Sequence, residues 1–155
     1  MKTLLSRPLV NAVCIGLFTA FYGLIFLVTS RHVEFESLLY YNNAKQSVSH
    51  FWKGFSDFLA AGYHVYIAYV LIATTILIIV LLLLRHHPYD EYHISLLCGC
   101  LSVAVVLTLI AIAIFYLMIL SDSNGIVEKF TFFIVLHWTV VVLADLSFVL
   151  LCRWR

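Results

Sequence analysis

The stretch ISLLCGCLSVAVVLTLIAIAIFYLMIL, residues 94–120, carries no charged side chain in 27 positions and decides the class of this fold. At 1.5 Å rise per residue, about 20 residues cross a hydrocarbon core of about 30 Å. In hydrocarbon every backbone N–H and C=O must be satisfied within its own segment, so a run of this length is a helix. Residues 9–29, 63–84 and 130–152 are apolar runs of the same kind. The sequence therefore predicts an all-α integral membrane protein, one domain over residues 1–155, folded as a four-transmembrane-helix bundle.

Composition agrees. Hydrophobic residues make up 64% of the chain and charged residues 11%, where soluble domains run near ~45–50% and ~25%. The formal net charge of +1 gives no field that would recruit nucleic acid. Lys2 and Arg7 precede an apolar stretch, as in a signal peptide. That stretch exceeds the usual ~7–15 residues and ends in Val28, Thr29, Ser30 and Arg31 without a small-x-small cleavage site, so it is expected to stay as the first span.

Orientation follows from the basic residues. Lys2, Arg7, Arg85, Arg153 and Arg155 sit in short flanks on one side, whereas Arg31, Lys45, Lys53 and Lys129 are diluted by Glu34, Glu36 and Asp57 on the other. Both termini are expected in the cytoplasm. The absence of an Asn-x-Ser/Thr sequon is compatible with a bacterial inner membrane.

Small residues set the expected packing. Ala12, Gly16, Ala20 and Gly23 line one face of the first span, and Ser95, Gly99 and Ser102 form a patch on the third. Lipid supplies no hydrophobic drive between helices, so close backbone approach over small residues is a main source of attraction. The two patches are expected to meet each other, or a second copy of the chain. Pro88 ends the second span, and Asp90 and Glu91 stand where a new helix would start, with carboxylates at its positive end. Residues 47–60 hold Phe51, Trp52, Phe55 and Phe58 at helical spacing opposite Ser49, His50, Lys53 and Asp57. This predicts a short amphipathic interfacial helix in the first outer loop, lying in the headgroup boundary or across the bundle mouth.

Four residue groups are candidates for chemistry. Asp145 and His137 interrupt the apolar fourth span. An Asp at mid-helix costs about 2.5–3.5 kcal/mol on insertion, so it should face the interior, a cavity or a partner. His137 lies eight residues earlier, turned by about 80° and about 12 Å along the axis, so the pair needs waters or a third side chain to connect. Asn11, Thr19 and Tyr22 on the first span, Thr74 and Thr75 on the second and Tyr116 on the third are the polar candidates for that third group. His64 and His137, imidazoles in the outer halves of two spans, are the pair suited to axial haem ligation. No matching inner pair exists, and no cofactor is strongly indicated. His32, Glu34, Glu36 and His50 are metal-ligand types in the outer loop, although solvated loops carry such residues routinely.

Three function classes compete. A non-enzymatic accessory or interaction subunit of a membrane complex needs no catalytic constellation, and it is the preferred expectation. An oligomeric channel or proton- or cation-coupled transporter would use Asp145 and His137 directly. A membrane redox or lipid-modifying enzyme would place His64 and His137 at a cofactor, but lacks a nucleophile with its base, paired carboxylates or tight metal spacing. The expected partners are the lipid bilayer and either copies of the same chain or a larger membrane protein.

Overall fold

The computed structural model of the protein describes residues 7–31, 50–84, 88–121 and 126–153. Among them run helices α1 (Pro8–Arg31), α2 (His50–Ala60), α3 (His64–Leu83), α4 (Glu91–Ser121) and α5 (Ile126–Arg153), with no strand. All but α2 are long and apolar enough to cross a membrane.

Local chemistry explains the helix ends. Pro8 opens α1, where its missing N–H would have found no partner anyway. Asp90 caps α4: its Oδ1 accepts from the backbone N–H of His93 at 2.9 Å and also meets His93 Nδ1. That cap starts α4 three residues before the apolar run does. Helix α5 begins one turn earlier than its apolar run as well, taking in Glu128, whose carboxylate sits in the first turn. Between α2 and α3 the chain turns at Gly62, φ 78°, a conformation that costs other residues a Cβ clash. The Leu59 carbonyl at the end of α2 accepts from Gly62 N–H at 3.0 Å and from His64 Nδ1–H at 3.1 Å, which ties the elbow together.

Helices α1, α3 and α5 pack against one another, and α4 joins mainly along α5. The α1–α3 seam is antiparallel. The Thr19 and Thr75 hydroxyls lie 3.1 Å apart, and a Cβ on Gly16 would stand 3.5 Å from Ile79. Thr75 donates to the Leu71 carbonyl at 2.9 Å, which leaves Thr19 as the donor between the two hydroxyls. On α1's other contact, a Cβ on Gly23 would lie 3.3 Å from the ring of Trp138, and Phe26 meets both Trp138 and His64 edge to face. Helix α4 presents Leu97, Ala104 and Ala111, spaced seven residues apart, to the bundle. Its Phe115 ring meets Phe133 at a tilt, with ring centres 4.9 Å apart.

Of the two expected pairings of the small-residue patches, the one within a single chain does not occur. Gly16 and Gly23 face α3 and α5, whereas Ser95, Gly99 and Ser102 are exposed on α4, with nothing within 4 Å of a Cβ on Gly99. Ala12 is buried and Ala20 exposed, so the stripe on α1 is divided between two neighbours and the outside. Helix α2 lies against one end of α5. Its aromatic residues converge on Phe132 of α5, at 6.1 Å from Phe51, 5.9 Å from Trp52 and 5.6 Å from Phe55. Trp52 is buried, Phe55 and Phe58 half-buried, and only Phe51 is largely exposed.

Candidate functional site

The inward face of α5 gathers polar groups with no hydrogen-bond partner among the described residues. Thr131, Trp138 and Asp145 follow at seven-residue steps and are 0%, 0% and 4% exposed. Seven residues turn an α-helix by about 20° short of two full turns and advance it by about 10.5 Å, so the three stand in a column. Thr131 Oγ1, Trp138 Nε1 and Asp145 Oδ1 are buried without a hydrogen-bond partner among the described residues. Each would otherwise cost free energy comparable to a lost hydrogen bond, and a buried carboxylate more.

Helix α1 answers this column at the same period. Taking the Gly23–Trp138 contact as the origin of two antiparallel helices puts Ser30 level with Thr131 and Gly16 level with Asp145. Ser30 is buried, with its hydroxyl donating to the Leu27 carbonyl at 3.2 Å. The Thr19–Thr75 pair falls between the levels of Trp138 and Asp145. On the α4 side, Cys100 lines a groove together with Ala144, the residue before Asp145.

At the α2 end the column meets a second polar group. Glu128, three residues before Thr131 and therefore its neighbour on the helix surface, is 2% exposed, and both of its carboxylate oxygens are buried without a hydrogen-bond partner among the described residues. Lys129 is equally buried and holds its ammonium 5.8 Å from the centre of the Trp52 ring.

The residues singled out in the sequence are dispersed around this column. Asp145 belongs to it. His137, one position from Trp138, is rotated by about 100° and packs beside Phe133 at 6.5 Å, with Nε2 buried and without a hydrogen-bond partner among the described residues. Asn11 is half-buried with an unmatched Nδ2, so it makes no hydrogen bond to Asp145. Tyr22 stacks on Phe18 of its own helix at 4.3 Å. Tyr116 is 61% exposed and turns away from the bundle. His64 lies by Phe26 of α1 and His137 by Phe133 of its own helix. His32, Glu34 and Glu36, together with the side chain of His50, lie outside the described residues. Among those described, no group of three or more metal-ligating side chains occurs.

Sequence reasoning passed over Glu128, Lys129, Thr131 and Trp138. The first two read as the flank of a span, and the others as ordinary members of it. The signal that was present is the seven-residue repeat through Asp145, which places Thr131 and Trp138 on the same helix face as the costly carboxylate.

Helix α4 supplies the other notable surface. Tyr92, Ser95, Leu96, Gly99, Cys100 and Val103 line a shallow groove, continued by Ala104, Ala144 and Ser147 across the α4–α5 junction. Comparison with known proteins finds no matching family model, no matching curated protein and no matching solved structure.

Proposed function

We propose that this chain is a multi-pass membrane protein, with both termini cytoplasmic, that acts as a non-enzymatic interaction subunit of a larger membrane assembly. The observation that carries the reading is the open face of α4. This helix of 31 residues is held mainly by α5, yet turns Ser95, Gly99 and Ser102 away from its own bundle. In lipid, small residues on a helix surface permit the backbone contact and polar bonding that hold helices together, which leucine or valine there would block. Helix α2, seated on Phe132 at one end of the bundle, fits an interfacial element under this reading.

The test is purification of the tagged chain in mild detergent. A membrane partner should accompany it at fixed stoichiometry and be lost in Gly99→Leu, with Tyr116→Ala retaining it. A chain that elutes alone, or a partner indifferent to Gly99→Leu, contradicts the reading.

A further inference from the structure

We infer that the occupant of the open α4 face is a second copy of this chain, docked α4 to α4 in a parallel, two-fold pair. The inference rests on the reading of α4 as a docking face and names what docks there. Ser95, Gly99, Ser102, Val106, Leu109 and Ala113 follow one another at alternating steps of four and three, and all six are exposed. Gly99, Val106 and Ala113 each stand two residues after Leu97, Ala104 and Ala111, the residues that α4 buries against its own bundle. Two residues turn a helix by about 200°, so α4 carries two opposite rows with the same seven-residue repeat. Helix α5 covers one of them. The other runs for 18 residues, about 27 Å, which is most of a hydrocarbon core of about 30 Å.

The chemistry of the open row suits its own copy. Copies of one chain share one orientation in the bilayer, so a two-fold axis along the membrane normal sets the two helices parallel and brings each residue of the row to its counterpart. Such a row must carry no charge, since like charges would meet, and its polar groups must donate and accept at once. Residues 94–120 hold no charged side chain, and the polar members of the row are the hydroxyls of Ser95 and Ser102, which do both. Elsewhere in the spans Ser30, Thr74, Thr139 and Ser147 each donate to a carbonyl one turn back on their own helix. Ser95 and Ser102 make no hydrogen bond among the described residues, although they face lipid, where a hydroxyl finds no water. Gly99 lies between them with open space above it, beside a recess of about 440 Å³ that Tyr92, Ser95 and Val103 also line. Missing bulk at this level lets a second backbone close in. The alternation of four and three, rather than a repeat of four alone, sets the crossing near +20°, the left-handed geometry of most membrane bundles.

The experiment is disulfide scanning of the full chain in the membranes of the expressing cell. The native thiols are removed by Cys14→Ala, Cys98→Ala, Cys100→Ala and Cys152→Ala. A single cysteine is then introduced on the row by Ser95→Cys, Ser102→Cys, Leu109→Cys or Ala113→Cys, and on either side of it by Val105→Cys or Ile110→Cys, which are equally exposed. A disulfide forms only where two Cα atoms come within about 7 Å. Mild oxidation should give covalent dimer at the row positions at least fivefold above the two flanking positions, and adding Gly99→Leu should bring the row down to the flanking level. Equal yields on and off the row, or row yields indifferent to Gly99→Leu, would overturn the proposal. Absence of dimer at every position overturns it as well, and the wild-type chain then separates the two readings. An unrelated membrane protein that co-purifies and is lost with Gly99→Leu keeps the docking face and changes its occupant, whereas a chain that elutes as a lone monomer ends both.

Discussion

Helices α4 and α5 are neighbours of similar length, and they use their surfaces in opposite ways. In the most apolar stretch of α5, 39% of residues are buried; in that of α4, 11%. The helix with the costly side chains, α5, is the one the others enclose. Polarity therefore tracks enclosure here: α4 carries its small hydroxyls outward as Ser95 and Ser102, whereas the carboxylates and the indole N–H of α5 are turned in.

Substitutions matched between the two helices test the contrast. The largest effect is expected for Trp138→Ala, which empties a fully buried site and should cost about 3–5 kcal/mol. Tyr116→Ala on the exposed side of α4 should stay within about 0.5 kcal/mol. Reversible unfolding in mixed micelles reads both, and equal losses would dissolve the distinction. Next comes Gly23→Leu, which drives side-chain carbon into the Trp138 ring and should cost about 1–3 kcal/mol. Gly99→Leu, with open space above it, should leave the melting temperature of the isolated chain unmoved.

Smaller effects sharpen the boundaries. Asp90→Ala removes the α4 cap and should cost about 1 kcal/mol, seen as faster amide exchange confined to the first turn of α4. Thr19→Val deletes the donor to Thr75 and should cost about 0.6 kcal/mol, the usual size of an interhelical hydrogen bond in a membrane bundle. A loss several times larger would mean that the pair anchors more than the α1–α3 seam.

How much of this was legible in the sequence depends on what each residue reports. Long apolar runs report the medium a segment can occupy, so the four long helices were readable almost to their ends. The ends moved where a polar residue belonged to the helix, as Asp90 caps α4 and Glu128 enters the first turn of α5. Facing was harder, because a span that suits lipid is apolar all round and its pattern does not say which side is enclosed. Small residues mark a helix as approachable without naming its neighbour. Gly16 met α3, Gly23 met α5, and Gly99 met nothing in the bundle. Asp145 was legible because its cost admits few environments. Trp138 was not, since an indole suits a lipid boundary as well as a core, and only its place seven residues before Asp145 distinguishes the two.

The seat of Trp138 against Gly23 has a practical consequence. A fully enclosed indole emits toward the blue, and one released to detergent or water shifts to longer wavelength. With Trp52 and Trp154 replaced by phenylalanine, the remaining fluorophore becomes an intrinsic gauge of whether the first and last long helices are in register, readable in cuvette or in vesicle without any label.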